Sequence, residues 1–450
     1  MAIADGWRLN GGAQVGRVDD PPSCYRMPMS RATDLWLLYC HVALFVVCHA
    51  FLAGGAAAGD PLSTIGDQSA LAFLERHWHV PVLPQGKPPA RFSPLEASLD
   101  PESCAICHRL QYDDWKTSFH GKSMGPGIMG QTIELIQDDP AKALLCYGCH
   151  APLTEQQEKI AGKSASGTRF RTNPTFLRSL QPKGLTCAGC HVRRHQLFGP
   201  PKPDGTLGNS RPAFELPHGG AIRTPAFERA EFCEGCHQFR PDGYALNGKL
   251  LENTYNEWRE GPYGQEGRAC QGCHMPDRRH LWRGIHDPQM VKQGVTFRLV
   301  LDKGRYRVGE EVQATITLTN SGVGHYFPTY VTPKILIGVE LVDEAGARVP
   351  GSFQQERIGR EATLDLRKEL FDTRIPPGKT HTFRYVRPID RAGLKLKASV
   401  VVAPDDFYVK FFEAILPRAR TKQARAWLKQ ALGEARESSF VLFKEEVEVS

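Results

Sequence analysis

Between residues 291 and 404 apolar positions recur every second residue, the period of a strand with one buried face. Val312, Ala314, Ile316 and Leu318 alternate with polar neighbours, and Val295–Leu301, Ile335–Val342 and Lys397–Val402 are similarly rich in β-branched residues. Turn signals separate the runs: Lys303-Gly304, Asn320-Ser-Gly322, Asp343-Glu-Ala-Gly346 and Pro376-Pro-Gly378. His381 also falls on an expected strand. From Asp405 the period lengthens to that of a helix, with Phe407, Phe411, Ala414 and Ile415 ahead of Pro417. Ala424, Trp427, Leu428, Ala431 and Leu432 form a second stripe, and Phe440–Val449 returns to strand. Residues 291–450 therefore predict an antiparallel, immunoglobulin-like β-sandwich with a helical insertion at about 405–436.

The first hundred residues follow other patterns. Leu35–Ala58 is an almost unbroken apolar run after Arg26 and Arg31, ending in three alanines. That is the composition of a secretory signal, and residues 1–58 are assigned to it, with Met27 or Met29 as the true start. An uncleaved membrane anchor is the competing reading, since the run is long enough to span. Residues 59–100 hold a short helical stripe (Leu71, Leu74, Trp78) and then a Pro-rich arm from Pro81 to Pro94, expected to lie over the next region as an irregular strap.

In residues 101–290 neither period persists, and a different regularity replaces it. One pentapeptide occurs five times: Cys104-Ala-Ile-Cys107-His108, Cys146-Tyr-Gly-Cys149-His150, Cys187-Ala-Gly-Cys190-His191, Cys233-Glu-Gly-Cys236-His237 and Cys270-Gln-Gly-Cys273-His274. Two thiols one helical turn apart match the two vinyl groups on one haem edge, and the following histidine reaches the iron. Zinc sites pair one Cys-x-x-Cys with a second pair or with two histidines, which an odd number of copies fits poorly. The implied cofactors are five covalently attached c-type haems. About 40 residues then serve each one, too few for an ordinary core, so short helices and loops around the porphyrins are expected.

The other axial position of each iron separates an electron wire from a catalyst. Nine histidines lie outside the motifs and beyond residue 58: His77, His79, His120, His195, His218, His280, His286, His325 and His381. His120 follows Trp115 and Ser118 and precedes Gly121, an anchored imidazole suited to ligation. His218 precedes Gly219-Gly220, and His280 and His286 flank Trp282 after the last motif. His325, in Gly324-His-Tyr-Phe-Pro328, lies on a sandwich turn from which it would reach the haem region and lock the two together. His120, His218, His280, His286 and His325 are the candidate distal ligands. His195 suits a neighbouring haem only, and His77, His79 and His381 read as structural or surface residues. Met275 cannot reach the far face of its own haem, leaving Met124 and Met129 as minor candidates.

Composition changes the picture twice. Three further cysteines, Cys24, Cys40 and Cys48, lie within residues 1–58, so removing that segment leaves none for disulfides. The formal charge of +7 survives that removal, because the segment carries four Arg against four Asp. Ten haem propionates would bring the holoprotein near −3, and the basic sequence gives no argument for nucleic acid. The run Arg418, Arg420, Lys422, Arg425 and Lys429 reads as a solvated helix face, with an acidic redox partner as the alternative.

Cys104–His108 followed by Tyr112, Trp115, Ser118 and His120 resembles the multihaem superfamily of ammonia-oxidiser tetrahaem cytochromes, hydroxylamine oxidoreductase and pentahaem nitrite reductase. So does Cys270–His274 with Met275-Pro276, His280 and His286; the likeness covers about residues 80–290. The family implies close-packed haem pairs and distal histidines at positions like these. Pentahaem nitrite reductase uses a proximal lysine at its catalytic haem, whereas every motif here ends in His. The expectation is a periplasmic or otherwise extracytoplasmic electron carrier, mostly bis-His, exchanging electrons with other redox proteins and a membrane-associated donor or acceptor. The alternative is an oxidoreductase with one open-coordination haem acting on a small nitrogen or sulfur compound. A third reading makes the sandwich an adhesion or assembly module.

Overall fold

The computed structural model describes residues 61–79, 82–164 and 167–450, and the signal-segment assignment lies outside them. Residues 70–450 form one compact unit, and all five pentapeptides lie within it.

Two antiparallel sheets occupy the C-terminal part. One orders Glu369–Asp372, Gln354–Ala362, Lys334–Val342, Lys395–Ala403 and Phe440–Glu448; the other orders Thr380–Pro388, Glu311–Asn320 and Val295–Leu301. The alternating residues Val312, Ala314, Ile316 and Leu318 from the smaller sheet join Ile335, Ile337, Val339, Leu341, Leu396, Ala398 and Val400 from the larger in one apolar cluster. The two apolar faces thus share a core, the packing that period-2 patterning demands when both sheets have a wet side.

Gln354–Ala362 is a strand that hydrophobic alternation does not reveal. Its QQERIGREA sequence is polar because Arg360, fully buried, pairs with Glu369 at 2.8 Å. The same guanidinium donates to the carbonyls of Leu246, Lys249 and Leu250, fastening a motif-region hairpin to the sheet. The hairpin of Lys159–Ser164 and Gly167–Thr172 likewise has no signal in the apolar pattern. Helices Asp406–Ile415 and Lys422–Glu437 lie where the 3.6-residue stripes place them, and Thr421 caps the second. They pack on helix Pro126–Asp138, where a Cβ at Gly130 would sit 2.8 Å from Leu428 and one at Gly127 2.9 Å from Phe412. Arg420 pairs with Glu134 (3.3 Å) and Asp138 (2.5 Å) across this junction, so the basic run is partly committed to internal contacts.

Residues 101–290 contain short helices joined by loops. Each motif sits at a helix end: Pro101–Cys104, Pro140–His150, Cys187–His191, Glu231–His237 and Cys270–His274. The Pro-rich arm is pinned: Val82 bridges Leu153, Thr154 Oγ1 bonds Val82 O, and Gln85 N donates to Glu155 at 2.7 Å. None of the helices among the described residues is long and apolar enough to cross a membrane.

Candidate haem-binding centres

The ten described cysteines form no disulfide. No three Cys, His, Asp or Glu side chains among the described residues converge as a metal-ion cage. Burial pushes the thiols of Cys146 and Cys190 up to about 11.

Three of the five motif histidines have the tautomer that an iron ligand needs. His150 Nδ1 lies 2.7 Å from Ser123 O, His191 Nδ1 2.8 Å from Phe198 O and His274 Nδ1 2.6 Å from Arg283 O. An imidazole that donates Nδ1–H to a carbonyl presents the lone pair of Nε2 to a metal. Burial lowers the pKa of His150, His191, His237 and His274, that of His191 to about 4, so these rings stay neutral, the ligating form.

Three motif histidines face a second imidazole. His274 and His325 stand 6.5 Å apart between ring centres with planes 9° from parallel. His191 and His280 are 6.2 Å apart, as are His120 and His237. Two imidazoles on opposite faces of one metal, with metal–nitrogen bonds of about 2 Å, put their centres roughly 6 Å apart. Burial depresses the pKa of His191, His237 and His325, although His191 and His325 are only half-buried and His237 is exposed. The donor set, its tautomers and its spacing fit c-type haem.

Each facing imidazole is held by its own scaffold. Trp115 Nε1 donates to Leu185 O at 2.8 Å, and Leu185 N donates to His120 O at 3.0 Å. A Cβ on Gly121 would lie 2.6 Å from Trp115 O, so only glycine lets the chain turn there behind His120. Burial and the neighbouring imidazoles, His237 first, hold His120 down to about 3. Asp114 receives Arg279 through two bonds (2.7 and 2.6 Å) and the backbone N–H of His280 at 3.0 Å. The helix after motif 1 thereby sets the imidazole that faces motif 3. His325 rests on Glu257, which accepts from Tyr326 N (3.2 Å), Thr329 Oγ1 (3.2 Å) and Arg374 (2.6 Å). Gly324 allows that loop to approach, because a Cβ there would sit 2.9 Å from the Tyr263 ring.

The remaining candidates lie elsewhere. His218, at φ 56°, donates its backbone N–H to Glu96 at 2.9 Å, and its buried Nδ1 has no partner. Helix Pro94–Ala97, just ahead of motif 1, carries that glutamate. His286 Nε2 lies 3.0 Å from Asp405 Oδ2 and its ring 4.2 Å from Phe119. His77 and His195 bond backbone carbonyls of Cys190 (2.8 Å) and Gly86 (3.1 Å), and His381 lies 3.6 Å from Glu356. Met124 is buried in an apolar cluster with Ile136, Tyr147 and Met129. Among the described residues no imidazole ring pairs with His108 or His150 in this way.

Motif contacts fix an order that spacing along the chain could not supply. The thiol of Cys104 is within hydrogen-bond reach of Cys187, Cys149 of Cys236, and Cys233 of Cys270. Helix Pro101–Cys104 packs on Cys187–His191, and Pro140–His150 on Glu231–His237. Cys190 interacts electrostatically with Cys233 and Cys236. Motif 1 therefore adjoins motif 3, and motif 4 adjoins motifs 2, 3 and 5. Asp114, Ser123, Glu257 and Asn320, whose Nδ2 donates to His325 O at 2.9 Å, belong to no motif in the sequence. Only Asp114 and Ser123 carry a signal there, standing beside the Trp115–His120 stretch.

Residues 103–191 match the family described as cytochrome c554 and c-prime. Cytochrome c-552 of Aliarcobacter butzleri (strain RM4018) is 26% identical over 140 residues, 29% of this chain. The chain spans about a quarter (26%) of that relative's length. The crystal structure of a penta-heme cytochrome c552 from Thermochromatium tepidum superposes with a TM-score of 0.54 at 19% identity. It covers 79% of this chain and 99% of the other, so the likeness in fold extends well beyond the matched motifs. Together with the donor geometry, these likenesses support a multihaem c-type cytochrome.

Proposed function

We propose that the protein is an extracytoplasmic pentahaem cytochrome that carries electrons between other redox proteins through closely packed, mostly bis-His centres. A c-type haem supplies a one-electron iron couple, and a pair of axial imidazoles lets that couple change state with little rearrangement. The observation that carries this reading is the set of three imidazole pairs, each uniting a motif histidine with one from a distant segment. Cys104/Cys107, Cys146/Cys149, Cys187/Cys190, Cys233/Cys236 and Cys270/Cys273 are the attachment points; His108, His150, His191, His237 and His274 are the proximal ligands. His237 takes His120 opposite, His191 takes His280, and His274 takes His325. His218 serves motif 1, because Glu96 ties it to the segment leading into that motif. The path runs from motif 1 through motif 3 to motif 4, which branches to motifs 2 and 5. Cys107 and Cys273, both exposed, mark the two ends nearest solvent.

The sheets sharing one core are read as an immunoglobulin-like sandwich whose loop delivers His325. Secretion through the N-terminal segment and a periplasmic location belong to the same proposal, since c-type haem is attached outside the bacterial cytoplasm.

The test is a set of single replacements, His120→Ala, His280→Ala and His325→Ala, in the holoprotein. Each is expected to convert one low-spin ferric haem to high spin in the electron paramagnetic resonance spectrum and to leave the others in place. An unchanged spectrum for any one of them removes that pairing.

A further inference from the structure

We propose that Trp282 is a positioning residue that leaves His120 a weak axial donor, and that the haem bound by Cys233, Cys236 and His237 therefore has the highest midpoint potential of the three paired centres. The inference rests on the pentahaem reading and adds to it the place where an electron comes to rest. At the motif 3 centre, His191 Nδ1 lies 2.8 Å from Phe198 O and His280 Nδ1 3.1 Å from Arg278 O. At the motif 5 centre, His274 Nδ1 lies 2.6 Å from Arg283 O and His325 Nδ1 2.9 Å from Tyr326 O. The motif 4 centre has no such contact. His120 Nδ1 is buried without a hydrogen-bond partner, and the ring of His237 bonds no carbonyl among the described residues.

An aromatic ring stands beside His120 where the other centres have a carbonyl. Trp282 meets the imidazole nearly edge to face, with ring centres 4.6 Å apart and planes at 71°. The same indole meets His280 at 5.0 Å and 85°. His280 has its own carbonyl acceptor, so the indole is left to His120. An aromatic face accepts an N–H far more weakly than a carbonyl does. The chain holds the ring in this place at a conformational cost. Trp282 sits at φ 42°, in the left-handed region that bulky residues rarely adopt, and its backbone N–H donates to His274 O at 2.9 Å. One residue thus touches the distal imidazoles of motifs 3 and 4 and the end of the motif 5 helix.

Ligand basicity turns this difference into a potential. An imidazole whose Nδ1–H is drawn to a carbonyl is the stronger donor and favours ferric iron, which lowers the midpoint. Four of the six paired imidazoles are strengthened in this way, and both exceptions belong to one centre. Carboxylates do not cancel the difference, because Glu231 of the motif 4 helix pairs with Arg229 at 2.9 Å and Glu234 is faced by Arg259. Motif 4 is also where the path branches. An electron leaving the ferrous haem of motif 3 oxidises that centre and reduces motif 4, with every Nδ1 proton staying in place. It rests there until a partner takes it through motif 2 or motif 5.

The experiment is a redox titration of the holoprotein followed by electron paramagnetic resonance, each low-spin signal being assigned by its loss in His120→Ala, His280→Ala or His325→Ala. The signal lost in His120→Ala is expected to disappear at a higher potential than the other two. Trp282→Gln brings a side-chain carbonyl to His120 and should lower that midpoint alone, by roughly tenfold in the reduction equilibrium or about 59 mV for one electron. Trp282→Phe keeps an aromatic face and should leave the midpoint near its wild-type value. A motif 4 signal that vanishes at or below the potential of either neighbour would overturn the ranking in the wild type alone. An unshifted midpoint in Trp282→Gln would overturn the part given to Trp282. High-spin conversion of that haem in either Trp282 variant would make the indole a packing prop and overturn it too. If His120→Ala leaves every low-spin signal in place, the pairing fails and takes the carrier reading with it. A low-spin motif 4 haem of low potential sinks only the present proposal.

Discussion

At the scale of single residues, the balance between burial and pairing decides which charges survive inside the molecule. Asp372 shows it most clearly. Burial alone would raise its pKa, but the bidentate contact with Arg374 (2.8 and 3.0 Å) and the pairing with Lys249 (2.6 Å) outweigh that and hold it down to about 2. A carboxyl depressed in the folded state contributes stability above its unfolded pKa and loses it as pH falls through the folded value. The contribution is therefore present above about pH 4 and fades between about pH 4 and 2, on the order of 2 kcal/mol. Glu257, the other partner of Arg374, is shifted upward by burial and offsets part of that gain. Asp372→Asn should flatten the acid limb of a denaturant-midpoint profile in that window, and an unaltered limb would show that the pairing adds nothing. The imidazoles follow the opposite rule: burial keeps His120, His191 and His325 neutral, the form that the proposed ligation requires.

At the scale of elements, what the sequence makes legible depends on what each element buries. Strands such as Glu311–Asn320 and helices such as Lys422–Glu437 bury apolar faces against their own unit, so their periods are visible in the chain. The short helices of residues 101–290 bury motif cysteines and histidines against a cofactor, so spacing marks them and hydropathy does not. Gln354–Ala362 escapes both signals because its central buried group is a guanidinium. Arg360 predicts the cost of that arrangement. Replacement by Leu would strand Glu369 and the carbonyls of Leu246, Lys249 and Leu250, and should destabilise the protein by about 3–5 kcal/mol. Replacing Arg360 and Glu369 together should recover part of the loss. Urea unfolding of the two variants checks this, and a loss below about 1 kcal/mol for the single change would show that the buried pair is dispensable.

At the scale of the whole molecule, the five pentapeptides predict attachment points but not neighbours. Cys104 meets Cys187 across 83 positions and Cys149 meets Cys236 across 87, contacts between motifs that are not adjacent in sequence. The pairing of His325 with His274 joins the sheet region to the last motif, and Glu257 with Arg374 buries the charge pair that steadies the joint. A histidine beside two glycines and a proline hints at that joint. The glutamate beneath it gives no sign, because a lone Glu in a helix is ordinarily solvated. Electron carriage by this molecule stands on its census of axial ligands, which near-infrared magnetic circular dichroism of the oxidised holoprotein reads directly. At least four bis-imidazole low-spin haems per chain are expected; fewer than three bis-imidazole haems would contradict the paired histidines on which the proposed function stands.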